Sequence, residues 1–184
     1  TTCSFHATKL FHTGEGGAIF CKDPALFHQL YFSHNFGHDG PLAFHGLGIN
    51  GKMSELQAAM GLAVLPYMQA ILADRSSVVT WYDENMKMNP FERIKIRIKT
   101  HWNTAYYPMV FESENQLLEI EKSLHDIEVF PRRYFYPSLT KLPYVTQNSC
   151  ETASDISLRI LCLPLFYGLG ENEVKRIASI INNF

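Results

Sequence analysis

The chain has 184 residues, of which 46% are hydrophobic, 13% aromatic and 18% charged, with a formal net charge of -2 at pH 7. That balance belongs to a soluble globular protein of one domain, or of one domain and part of another. Sixteen Lys and Arg against eighteen Asp and Glu leave no cationic excess to neutralise a phosphate backbone, which argues against nucleic acid and anionic membrane as partners.

No apolar stretch approaches the ~20 residues that span a bilayer, and residues 1 to 13 carry neither the basic start nor the apolar run of a signal peptide, so a cytoplasmic location is expected. Chemistry-bearing residues begin within ten positions of the first, with no room ahead of them for a strand or helix, as in the later part of a longer protein. Gly14, Gly16 and Gly17 lead into Ala18 to Cys21, which reads as a turn and a buried strand. Pro24 suits the first turn of a helix running to about Phe32. From Ser33 to Gly51 five glycines, one proline, three histidines and two asparagines predict a long loop.

Ser54 and Gln57 spell a capping box, and Leu56, Ala59, Met60 and Ala63 follow at helical spacing, as expected of a stripe packed into a core. Pro66 kinks or restarts that helix, which continues through Met68, Ile71 and Leu72 toward Tyr82. Asn89-Pro90 marks a boundary. Beyond it Ile94, Ile96 and Ile98 alternate with Lys95, Arg97 and Lys99 as a strand with one wet face, and a second strand is expected from about Asn103 to Phe111. Ser113 and Gln116 cap a helix bearing Leu117, Ile120 and Leu124, a short strand follows to Phe130, Ile160 to Leu165 reads as another buried strand, and Val174, Ile177, Ala178 and Ile181 mark a closing helix. A β-α-β-β-α order from about Phe91 predicts a small α+β domain. Cys3, Cys21, Cys150 and Cys162 form no C-x-x-C pair and are expected to be reduced and mostly buried.

Three constellations carry chemistry. Lys9 lies in the polar segment Ser4 to Lys9 beside Gly14, Gly16 and Gly17, where neighbours that lower its pKa can make its amine nucleophilic. Asn50, bracketed by Gly48 and Gly51 at a helix entrance, suits a phosphate. Arg132 and Arg133 beside Tyr134 and Tyr136 suit a carboxylate or pyrophosphate. His34, His38 and His45 fall in a glycine-broken segment without a carboxylate-histidine signature, so no metal site is expected.

In order, Ser4-Phe5-His6-Ala7-Thr8-Lys9 with Gly14-Glu15-Gly16-Gly17, then Gly48 to Ala59, then Leu161 to Leu165, resemble the DegT/DnrJ/EryC1/StrS family of sugar aminotransferases. The resemblance implies an α/β chain that is the C-terminal portion of a fold-type I aminotransferase using pyridoxal 5'-phosphate. Residues 1–90 then complete the large cofactor domain with an interdomain helix, and 91–184 form the small α+β domain. It further implies that Lys9 carries the cofactor through its amine, that Ser4 contacts its phosphate, and that Asn50 reaches the phosphate in the neighbouring subunit of a homodimer. Arg132, Arg133, Tyr134 and Tyr136 fall where the family places its substrate-facing loop.

The reaction implied moves an amine from a donor, usually glutamate, to a nucleotide-linked keto sugar, and the spelling from Phe130 to Leu139 is similar to members acting on dTDP-4-keto-6-deoxy sugars. The alternatives are a 3-keto or GDP-linked sugar, or a fragment or interaction module that does not turn over. Two departures stand out. Lys52 occupies the position of the family's usual arginine, and the chain has no counterpart of the family's N-terminal half, including the aspartate that pairs with the pyridine nitrogen.

Overall fold

In this computed structural model, residues 1–87, 91–146 and 150–184 are described. Asn89 and Pro90, read above as a boundary, lie outside the described residues. The chain divides into two units, Thr1–Gln69 and Ala70–Phe184.

The first unit opens with β1 (Thr2–Ser4) and β2 (Gly17–Ile19), antiparallel with Thr2 opposite Ile19 and Ser4 opposite Gly17. A strand therefore does precede Lys9, short as it is. Glycine is needed at position 17 because a Cβ there meets the carbonyl of Cys3 at 2.9 Å. The strand after the glycines is present but not buried, with Ile19 and Phe20 both exposed, since a two-stranded ribbon has no further layer over its faces.

Helix α1 (Pro24–Ser33) starts where Asp23 accepts the N–H groups of Ala25 and Leu26, and Pro24 has no N–H to leave unpaired. The long loop that follows is tied to itself. Ile49 N–H donates to the Ser33 carbonyl, Phe36 N–H to Ile49 and Gly51 N–H to His34, at 2.8, 2.9 and 2.8 Å. Gly48 permits this closeness: a Cβ there falls 2.2 Å from the Gly37 nitrogen and 2.7 Å from the Ser33 oxygen.

Helix α2 (Glu55–Val64) has the expected capping box, with Ser54 and Gln57 each serving the other's backbone N–H. At Pro66 it passes through a 3-10 turn, Leu65–Tyr67, into α3 (Met68–Asn85). Its apolar stripe is not core: Leu56 is 85% exposed, Met60 40%, and Gly61 is the one buried residue of α2. Among the described residues of the first unit only Thr13, Gly37 and Gly61 are buried. The helical run Glu55–Asn85 also contains an 18-residue window apolar enough to cross a membrane by length and composition, which the sequence reading missed because Pro66 divides it.

The second unit builds a sheet of β3 (Glu92–Arg93), β4 (Tyr107–Val110) and β5 (Ile160–Leu163), antiparallel in the order β3-β4-β5, with Val110 opposite both Glu92 and Ile160. With it go α4 (Glu114–His125), α5 (Glu151–Arg159) and α6 (Glu171–Ile181). Their buried side chains form one core: Val78 and Tyr82 from α3, Phe91, Tyr107, Met109 and Phe111, Leu117, Ile120 and Leu124 from α4, Leu161, and Val174, Ile177 and Ile181 from α6. The order is thus β-β-α-α-β-α rather than β-α-β-β-α, with α5 unforeseen.

Two strands were misplaced. Ile94, Ile96 and Ile98 lie outside β3 and are exposed, because the chain turns where Thr100 N–H reaches the Arg97 carbonyl. The segment to Phe130 is a turn closed by Val129 N–H on Leu124, and pairing resumes at Arg132, which bridges Cys162. Arg75, buried in α3, donates to the carbonyls of Thr104 and Ala105 at 3.0 and 2.7 Å, and burial lowers its pKa despite Tyr106 and Asp74.

All four cysteines are free thiols, but only Cys162 is buried, the exposed Cys3 and Cys150 lying outside the core of the second unit. Burial pushes the Cys162 thiol up to about 11, so at pH 8 only about one in a thousand is thiolate. Iodoacetamide at pH 8 labels Cys3 and Cys150 and leaves Cys162 unmodified until denaturant is added, as peptide mass mapping will show.

Candidate functional site

Lys9 lies on a loop pinched at its base by one residue. The Phe5 N–H donates to Gly16 and its carbonyl accepts from Thr13, both at 2.9 Å, so residues 6 to 12 bulge out between two hydrogen bonds. Thr13 is buried and its hydroxyl donates to the Glu15 carbonyl at 2.6 Å. Gly14 turns the chain at φ 76, a conformation an L side chain resists. Phe5 and Phe11 meet edge to face, 5.0 Å between centroids.

Inside the bulge, Lys9 N–H donates to the His6 carbonyl at 2.9 Å, closing a turn with Lys9 at its end. Ser4 Oγ accepts the His6 N–H at 3.4 Å, which puts its hydroxyl at the root of the same turn. Lys9 is exposed, and among the described residues no ion pair occupies its amine. A free amine and a hydroxyl on one turn suit a phosphate-bearing aldehyde.

Asn50 belongs to the other loop of this unit, where it bridges Asn35. Its Oδ1 accepts from Lys52 Nζ at 2.6 Å, and the ammonium sits 4.2 Å over the Phe36 ring. The amide nitrogen is thereby left as a donor. No hydrogen bond joins Asn50 to the Ser4–Lys9 turn among the described residues. A groove of about 820 Å³ beside α1, lined among others by His28, Gln29, His45 and Leu47, contains none of the three.

The Arg132–Tyr136 cluster is in the second unit, and its members differ. Arg133 is pinned: Nη2 donates to Glu114 and to the Leu158 carbonyl, each at 2.8 Å, and the guanidinium lies 4.0 Å over Tyr136, leaving its side chain 17% exposed. Arg132 is exposed, and among the described residues its side chain pairs with its neighbour Tyr134 alone, through a hydrogen bond to the phenol and a contact with the ring. Tyr134 packs edge-on to Tyr106 and stacks on Phe135.

Residues 1–182 match the DegT/DnrJ/EryC1/StrS aminotransferase family. The dTDP-4-amino-4,6-dideoxy-D-glucose transaminase of Shigella dysenteriae is 34% identical over 97% of this chain and 50% of its own length. The GDP-perosamine synthase of Caulobacter vibrioides is 26% identical over 98% of this chain and 51% of its own. The crystal structure of DesI in the presence of its TDP-sugar product superposes with a TM-score of 0.87 at 27% identity, covering 99% of this chain and 48% of that one. The chain spans about half the length of the relatives it matches.

Proposed function

Because the chain belongs to the DegT/DnrJ/EryC1/StrS aminotransferase family, we propose that it forms the C-terminal portion of a cytoplasmic enzyme that moves an amino group from glutamate to a dTDP-linked 4-keto-6-deoxy sugar. The observation that carries this reading is the Lys9 turn, an exposed lysine amine rooted at the Ser4 hydroxyl between two hydrogen bonds of Phe5. Lys9 would hold pyridoxal 5'-phosphate through its amine, with Ser4 and, from the neighbouring subunit of a homodimer, Asn50 on the phosphate. When bound, the cofactor supplies the electron sink that amine transfer needs. Lys9 Nζ would also serve as the proton carrier at the substrate carbon. Residues 1–90 complete the large cofactor domain in this reading and 91–184 form the small one. The apolar side chains left uncovered in the first unit fit a surface closed by the rest of a longer protein and its second subunit.

For the substrate, Arg132 with Tyr134 is the anion-binding pair, whereas Arg133 with Tyr136 builds the loop. Arg132→Ala changes stability by less than about 0.5 kcal/mol and raises KM for the nucleotide sugar about tenfold or more, the worth of one charge-assisted hydrogen bond. Arg133→Ala lowers stability by about 1–3 kcal/mol through the orphaned Glu114 and Leu158 carbonyl. Urea unfolding and steady-state kinetics separate the two.

The likeness to a GDP-perosamine synthase favours a GDP-linked keto sugar as the second reading. Assaying the complete protein with glutamate and dTDP-4-keto-6-deoxy, GDP-4-keto-6-deoxy or 3-keto sugars decides between them by product mass. Amino-sugar formation from the dTDP substrate supports the proposal; turnover of another sugar alone, or of none, contradicts it.

A further inference from the structure

The imidazole of His6 folds back onto the turn that carries Lys9. Its Nδ1 lies 3.3 Å from the Thr8 backbone nitrogen and 2.9 Å from the Thr8 hydroxyl. A backbone N–H can only donate, so Nδ1 is the unprotonated nitrogen and the proton of the neutral ring sits on Nε2. That nitrogen faces the Glu15 carboxylate at 3.5 Å. The Glu15 backbone is tied down through its carbonyl, which accepts from the buried Thr13 hydroxyl, while its carboxylate stays exposed.

We infer that His6 is a positioning residue for Lys9: bonded to Thr8 on one edge and facing the Glu15 carboxylate on the other, its ring locks the four-residue turn and so fixes where the Lys9 amine is presented. The inference rests on the reading of Lys9 as the cofactor lysine. It goes beyond that reading by assigning His6, Thr8 and Glu15 a joint role that needs nothing outside residues 4 to 16. The physical logic is that of preorganisation: a turn that already holds the reactive conformer loses less freedom when the amine is captured. The Glu15 carboxylate lies on the Nε2 edge of the ring, which leaves the Nδ1 edge to Thr8.

The test uses the purified 184-residue chain. Pyridoxal 5'-phosphate is added, the adduct is reduced with borohydride, and the share of label on Lys9 is compared with that on Lys22 and Lys52 in the same molecule. In the wild-type chain Lys9 is labelled preferentially. His6→Ala lowers its share about fivefold, equivalent to one ordinary hydrogen bond, with the absolute amount of label on Lys22 and the far-UV circular dichroism unchanged.

His6→Asn, whose side chain can place an acceptor where the ring has Nδ1, restores the share to within about twofold. Glu15→Gln gives an intermediate loss. Ring ¹⁵N shifts of His6 at pH 8 show the Nε2–H tautomer. A purely structural role would shift labelling at all lysines together and would not be rescued by asparagine.

The inference is overturned by an unchanged Lys9 share in His6→Ala, or by a wild-type chain with no preference for Lys9, because the network is complete within this chain. Neither result touches the cofactor reading, which is decided by where the complete protein carries its cofactor.

Discussion

Lys9→Ala in the complete protein abolishes covalent retention of pyridoxal 5'-phosphate and lowers transamination by at least about 10²–10⁴-fold, the range for loss of a positioned proton carrier. Both effects come from one atom, since in the proposed function Nζ would both bind the aldehyde and move the proton. The fold is expected to survive, because Lys9 is exposed and its backbone N–H, not its side chain, closes the turn on His6. Visible absorbance, a kinetic assay and circular dichroism of the same preparation separate the outcomes. Wild-type absorbance in the variant contradicts the assignment of Lys9.

Leu161→Ala is the substitution with the largest expected cost in stability, about 2–5 kcal/mol. Leu161 is wholly buried in β5 and belongs to the one core that joins the sheet to α3, α4 and α6. Truncating it leaves a cavity that neighbours drawn from several elements cannot collapse into. Leu47→Ala provides the contrast: with Leu47 98% exposed, the same change costs less than about 0.5 kcal/mol in this chain. Urea unfolding followed by near-UV circular dichroism measures both, and equal costs would contradict the placement of the core.

What was legible in the sequence is what neighbours in the chain decide. The caps at Ser54 and Ser113 each satisfy a backbone N–H three residues away, and Pro24 marks a first helical turn by itself, so these helices could be placed before any packing was known. The buried faces of α4 and α6 were legible too, since a helix period names its own inward side. The strand at 94–98 was not, because alternation marks a face without saying whether a partner strand lies within reach, and pairing instead joins Glu92 and Arg93 to β4. The stripe on α2 failed for a related reason: periodicity shows an apolar face but not what covers it.

At the candidate site the same division holds. Ser4 and Lys9 could be grouped because they are close in the chain, and the Ser4 hydroxyl lies at the root of the Lys9 turn. Arg132 and Arg133 could not be told apart, being adjacent in the chain, until Glu114 and the Leu158 carbonyl proved to claim the second. Arg75 went unnoticed because its partners are backbone oxygens 29 and 30 residues away, which leave no mark in the sequence. The histidine of Ser4-Phe5-His6-Ala7-Thr8-Lys9 lay in plain view, but only geometry shows its ring turned back on Thr8.

The measurement that bears most directly on the account is peptide mapping of the complete protein, purified with its cofactor and reduced with borohydride. A single phosphopyridoxyl group on Lys9, with Lys22 and Lys52 unmodified, is the predicted result. A cofactor attached to another lysine, or no attachment in a folded preparation saturated with pyridoxal 5'-phosphate, would contradict it.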